Sequence, residues 1–298
     1  MSDLTLTNQS DYNQISEAMG MTHDVKEKKK GSTLARMKID HKGIVGETQV
    51  KGKTKKIEIV DAGSYRLELS DGMEIFQTDP KIRLFNQKFS YKKFIKGSGD
   101  VKNRYVKTLM ANDLKSDLKD TDGGFNCGKT SGWIEDFASL PEDMKKLIKS
   151  IKRVRVLFGL VTFDKPVDNQ GLDVDPQENI PFLWEIDNRD AFKIMGTPIG
   201  QMAKQNRILP QHFLQLNTEE RSIPNGITYY LPTVELLPDV LELTKEDQQT
   251  FADFNLWIKN FNDWVDSEHE KAFENKDVDS DTKEIVDEFV DIEEPAAA

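Results

Sequence analysis

The chain has 298 residues and a formal net charge of −11, with 37% apolar and 31% charged side chains. That length allows one large or two modest domains with a substantial core. The longest apolar stretch, Val156–Phe163, falls far short of the roughly 18 residues a bilayer span needs, so no membrane-spanning helix is expected. A single cysteine, Cys127, excludes an internal disulfide and a paired-cysteine zinc site. Together with a polar start, MSDLTLTNQSDYNQ, it fits a reducing cytoplasm and no secretory leader.

In chain order, residues 1–31 are expected to form a weakly ordered arm that carries the lysine cluster VKEKKKG. A β-rich domain is expected over 32–240. It opens with short runs, LARMKID, IVGETQV, KIEIV, YRLEL and MEIFQT, separated by turn signals such as HKG, DAG and SDG. Strands at such spacing argue for a meander or a small barrel. The polar, glycine-rich stretch from Ala111 to Trp133 reads as a long loop. Ser139 and Pro141 then announce a helix, because Met144, Leu147, Ile148 and Ile151 recur at helical spacing. RVRVLFGLVTF reads as a strand with a buried end, and PFLWEID as another. NRDAFKIM reads as a short helix stopped by Gly196, and Thr197-Pro198 as the opening of a second. HFLQLN and ITYYLPTVELL suggest a hairpin, with Pro232 placing the latter at an edge. The last ordered element, within 241–276, is expected to be a long helix. Thr244-Lys-Glu-Asp247 supplies its capping pattern, and Phe251, Phe254, Ile258, Phe261 and Val265 form one face, to be buried against the core.

Few constellations support catalysis. Gly123-Gly-Phe-Asn-Cys-Gly128-Lys129-Thr130 satisfies the phosphate-loop pattern letter for letter. Its context does not, since the polar residues before it cannot form a buried strand and Ser131-Gly132 is a poor helix start; a glycine-rich surface loop is the expectation. The histidines are widely separated, so no metal ligand set is expected. Asp173, Asp175, Glu178 and Glu185 read as solvated acids. No nucleophile with an activating base is apparent. These readings give a non-enzyme without a cofactor.

Charge is segregated along the chain. Asp277–Ala298 carries nine acids against Lys283, whereas Lys81–Lys107 carries nine cations against Asp100. If KIRLFNQKFSYKKFI is extended, period-two alternation puts Lys81, Arg83, Phe85, Gln87, Phe89, Tyr91 and Lys93 on one face. Aromatic rings interleaved with cations suit an unpaired nucleic-acid strand, whose bases stack while its phosphates meet the charges. Lys96, Lys102, Arg104, Tyr105 and Lys107 continue the mixture around a Gly97-Ser-Gly99 bend. The competing reading makes the phenylalanines core and lets the lysines reach around them. Lys145, Lys146, Lys149, Lys152, Arg153 and Arg155 could extend the track or form a solvated face.

A β-rich body, a basic aromatic strand and an acidic C-terminus together resemble the single-stranded DNA-binding proteins of tailed phages. NCGKTSGWIEDFASLPEDMKKLIKSIKRVRVLFG, PFLWEIDNRDAFK and PNGITYYLPTVEL are also similar to an uncharacterised marine-phage family, over about residues 30–240. The first resemblance implies an α+β, β-rich oligonucleotide-binding-type barrel with inserted helices, a C-terminal helix and a disordered acidic tail, 277–298. It implies sequence-independent binding of single-stranded DNA in phage replication or recombination, and a tail that recruits replication proteins. The chain departs from that family by ending in Pro295-Ala-Ala-Ala298, with Phe289 the nearest aromatic residue. The alternatives are an interaction protein that docks through its aromatic helix and, third, a phosphate-loop enzyme.

Overall fold

The computed structural model describes residues 34–50, 53–97, 102–130, 134–224 and 226–277. The expected N-terminal arm, the acidic tail beyond Asp277 and most of the Gly97–Gly99 bend lie outside them. Eleven strands and three helices are present among the described residues: β1 (Ala35–Ile39), β2 (Ile44–Val50), β3 (Lys53–Val60), β4 (Tyr65–Glu68), β5 (Glu74–Gln77), β6 (Lys81–Ile95), β7 (Arg104–Lys107), α1 (Glu142–Ser150), β8 (Ile151–Phe163), β9 (Gln177–Ile186), α2 (Arg189–Lys204), β10 (Phe213–Ser222), β11 (Thr228–Leu236) and α3 (Lys245–Asp277). Short 3-10 turns lie at Asn126–Gly128 and Leu209–Gln211. Nine strands form one sheet in the order β11-β10-β6-β8-β9-β1-β4-β5, with β7 also on β6, and β2–β3 form a separate ribbon. Pairing is antiparallel except between β1 and β9.

The expected runs over residues 35–77 are all strands; in β1, β4 and β5 the alternating apolar residues have one buried face to fill, whereas the described side chains of the β2–β3 ribbon stay largely exposed. Ala35, Met37, Tyr65, Leu67 and Ile75 join Ile82, Leu84, Leu157, Phe182, Trp184, Leu214 and Leu231 in a single cluster on the sheet's concave face. The sheet therefore curls around this cluster, but it does not close. Its two ends meet through isolated contacts: Tyr65 donates its hydroxyl to Asn217 O at 2.9 Å, Thr218 Oγ1 donates to Gly63 O at 2.9 Å, and the Tyr230 amide donates to His41 Nδ1 at 3.1 Å. No ladder joins β4 or β5 to β10 or β11. The expected barrel is corrected to an open, curled sheet with helices on both faces.

α2 is one helix, not the two expected. It runs through Gly196 and Pro198, capped by Asn188, whose side chain accepts from the amides of Asp190 and Ala191. Gly196 leaves room for the Arg155 guanidinium, which lies 2.5 Å from where a Cβ would stand. α2 buries Ala191, Met195, Ile199 and Met202 against the concave core. α3 lies on the convex face, where Phe254 and Ile258 pack with Phe85, Val154, Val156, Phe158 and Leu183. The anticipated cap forms: the Thr244 amide donates to Asp247 Oδ2 and the Asp247 amide to Thr244 Oγ1. The aromatic stripe of α3 is thus chiefly core, while Phe251 and Trp264 stay exposed. The β10–β11 hairpin is paired throughout, with Pro232 on the edge strand as expected. No helix among the described residues is long and apolar enough to cross a membrane.

Candidate functional site

β6 is the longest strand and pairs with β8 from Lys81 to Lys93. The register shifts between Leu84 and Asn86, leaving Phe85 as an extra residue. Such a bulge reverses the alternation. Arg83 and Phe85 consequently face α3 on the convex side, whereas Gln87, Phe89, Tyr91 and Lys93 face the concave side with Leu157, Arg155, Arg153 and Ile151. The single basic and aromatic face expected from Lys81 to Lys93 is therefore corrected to two half-faces on opposite sides of the sheet.

The first half is structural. Arg83 is buried and holds Asp247 with two parallel bonds of 2.7 Å, while its Nε donates to Pro210 O. Phe85 is 4% exposed and packs on Phe254. Lys81 lies 3.6 Å from Asp164. Burial works to raise the Asp247 carboxyl pKa, but the Arg83 guanidinium and the Thr244 amide outweigh it and hold it below the usual range.

The second half ends in a cleft. Phe89 is half-buried beneath Arg155, whose guanidinium sits 5.0 Å from its ring and 4.5 Å from Phe192. Arg155 also donates to Phe192 O and Gln87 Oε1, and burial lowers its pKa to about 10. Two residues on, Arg153 pairs with Tyr91 and is exposed. Tyr91 is itself nearly buried, packed with Val106, Leu118, Cys127 and Ile151, and its phenol is raised in pKa by that burial. Around them opens a cleft of about 520 Å³, lined by Tyr91, Lys115, Lys129, Phe137, Ile148 and Arg153 with three further aliphatic residues. Lys129 lies 5.7 Å from the Tyr91 ring, and its pKa is lowered by burial and then by Arg153.

Charge balance separates the cations of this cleft from Lys92, Arg104, Lys107 and Lys152. On the convex face, Lys92 and Lys107 bind Glu185, and Lys92 and Lys152 bind Asp187, at 3.0–3.7 Å. Arg104 bonds Asp122. Lys93, Lys115, Lys129 and Arg153 make no ion pair among the described residues, nor do Lys96 and Lys102 at the end of the β6–β7 hairpin. At that end Phe94 and Tyr105 form an exposed ring pair, 5.1 Å between centroids.

The Gly123–Thr130 loop does not have phosphate-loop architecture. Lys129 and Thr130 are not helical and the next helix among the described residues starts at Glu142; the amides in and just before the loop already hold an anion, since Asp122 and Gly124 donate to Asp120 Oδ1, and Cys127 to Asp120 Oδ2, at 2.9–3.0 Å. What the loop contributes is the side chain of Lys129, delivered to the cleft. Sequence reasoning saw this lysine only through the motif, and set Arg153 among residues of uncertain face. The alternation in RVRV, opposite Phe89 and Tyr91, is the signal that picks out Arg153; nothing local announces Lys115 or Phe137. No family model, no curated protein and no solved structure matches the chain.

Proposed function

We propose that the protein binds single-stranded nucleic acid without base-sequence preference, and that the cleft over Tyr91 is the principal contact. The observation that carries this reading is the convergence of Lys115, Lys129 and Arg153 on one cleft, with no ion pair among the described residues, beside the rings of Phe137 and Tyr91. Unpaired cations are placed for phosphates, and apolar walls accept any unstacked base. Lys93 pairs with Ile151, a residue that lines the cleft, and the Phe94–Tyr105 pair with Lys96 and Lys102 offers a second contact on the hairpin. The resemblance to tailed-phage single-stranded DNA-binding proteins supports a stoichiometric role in coating strands during replication or recombination.

The test is fluorescence anisotropy with labelled oligothymidylate, a duplex and an RNA at several salt concentrations. Single strands are expected to bind more tightly than duplex. Lys129→Ala and Arg153→Ala should each lower the slope of log K against log salt by about 0.7. Phe137→Ala should leave the slope in place and cost about 1–3 kcal/mol. Failure of single strands to bind at low salt, or equal salt slopes in all variants, refutes the assignment.

A further inference from the structure

A second cavity opens along the outer edge of β6, on the side away from β8. β10 pairs with that edge only at Lys81–Arg83 and β7 only from Lys92 onward, while Ala111 exchanges both backbone bonds with Phe89, at 2.8 and 2.9 Å. Two residues earlier, the same alternation points the N–H and C=O of Gln87 outward. Neither group has a hydrogen-bond partner among the described residues. The cavity over them measures about 580 Å³, within the usual range of small-molecule sites. Ile199 of α2 lies on its concave-side wall and Phe251 of α3 on its convex-side wall, with Phe85 beside Gln87 on the floor. Asp247 also lines it, but Arg83 holds both carboxylate oxygens at 2.7 Å. Arg207 lines it too, exposed and without an ion pair among the described residues.

These groups define a ligand. One N–H and one C=O stand side by side in the plane of the sheet, with an apolar wall above and another below. They fit a flat ring lying in that plane, with an acceptor nitrogen next to an exocyclic amino group. Beside them the floor is the Phe85 ring, so a third polar group on the same edge of the ligand would be buried unpaired, which is costly. Cytosine and uracil carry a further carbonyl at that place and guanine a further amino group. Adenine has its N1 acceptor, its 6-amino donor and then only a C–H. Arg207 supplies a cationic fork of the kind that grips phosphate, and the neutralised Asp247 does not oppose it. We infer that this cavity binds a free adenine mononucleotide, with the base on the Gln87 backbone and the phosphate at Arg207. The cavity shares no lining residue with the cleft over Tyr91, and the inference is independent of nucleic-acid binding.

Isothermal titration calorimetry of the full chain with adenosine 5′-monophosphate tests this. A single saturable site is expected. Purine riboside 5′-monophosphate, which lacks the amino group, and the guanine, cytosine and uracil monophosphates should each bind about tenfold more weakly or worse. Phe251→Glu changes an exposed wall and should abolish binding. Arg207→Ala should weaken the monophosphate about tenfold and leave adenosine unchanged. Gln87→Pro removes an N–H that no strand uses and should lose the ligand, whereas Gln87→Ala keeps that N–H and should bind. Thermal melts of the variants must match wild type; if Gln87→Pro melts early, the purine riboside comparison on wild type decides the edge contact. Wild type that fails to bind adenosine monophosphate at millimolar concentration overturns the inference, as does equal affinity for the purine riboside compound. So does binding abolished by Arg153→Glu but retained in Phe251→Glu, which would move the ligand to the cleft. Oligoadenylate binding weakened by Phe251→Glu would assign the cavity to a base of a bound strand and overturn the free ligand; oligothymidylate should leave the monophosphate in place.

Discussion

Arg83 and Lys81 show how two cations two positions apart take opposite roles. Arg83 is buried on a bidentate carboxylate, and Lys81 faces solvent with Asp164 at longer range. Arg83→Met strands the Asp247 charge and should cost about 3–5 kcal/mol in a denaturant melt, whereas Lys81→Ala should cost under about 1 kcal/mol. The pair also carries a pH signature. The Asp247 carboxyl is depressed in the folded chain, so its contribution is complete above the unfolded value of about 3.9 and disappears as pH falls through the folded value. Acid unfolding of Arg83→Met should therefore show a shallower loss of stability in that window than wild type. Cys127 makes a separate case. Burial, then the nearby Asp120 carboxylate, pushes its thiol up to about 12. Because the thiolate is the nucleophile, iodoacetamide should leave Cys127 unmodified in the native protein and label it only after denaturation. Rapid native labelling would show that the Leu118–Ile151 cluster is open.

At the level of elements, the bulge at Phe85 and the close approach at Gly159 belong together. A Cβ on Gly159 would sit 2.4 Å from the Arg83 carbonyl oxygen and 3.0 Å from Phe182. The obstruction is backbone, which cannot rotate away. Gly159→Ala should cost about 1–3 kcal/mol by overpacking, read as a lowered denaturation midpoint, and a neutral result would mean that β6 and β8 pair in another register. The bulge explains why a period-two reading of KIRLFNQKFSYKKFI went astray: each half was read correctly, but one inserted residue swaps the faces between them. Similarly, Gly196 and Pro198 look like helix breakers locally, yet α2 continues, because Arg155 needs the space above Gly196 and the helix has a large apolar face to bury.

Across the whole molecule, strand order neutralises Lys92, Lys107 and Lys152 on the convex face, whereas Lys115, Lys129 and Arg153 gather in the concave-side cleft without an ion pair among the described residues. Cations left without a carboxylate contribute net attraction to a polyanion. Lys129 gives this reading a pH dependence. Its pKa lies below the ordinary lysine value, and the protonated amine is the form that holds a phosphate. Affinity for a single strand should therefore fall as pH rises through a range below that of a free lysine, and Lys129→Arg should abolish the fall while keeping the salt slope. Anisotropy titrations on the two chains check this. A pH profile identical in both would remove Lys129 from the site.

Some of this was legible from residue order alone. Alternation and turn chemistry mark nearly every strand from Ala35 to Leu236, and the capping residues and stripe of α3 mark the final helix, because these depend on near neighbours in the chain. The charge segregation is equally a property of order. That the sheet stays open, the parallel β1–β9 pairing and the bulge at Phe85 were not legible, since each is set by contacts between residues far apart in sequence. The same holds for the cleft. Its cations come from the loop at Lys115, the loop at Lys129 and the strand at Arg153, and whether a lysine is free depends on which carboxylates the fold brings to it. Glu185 and Asp187 reach Lys92, Lys107 and Lys152 because β9 runs beside β8. Tertiary pairing of charges, decided by strand order, is what separates a binding surface from a merely basic sequence.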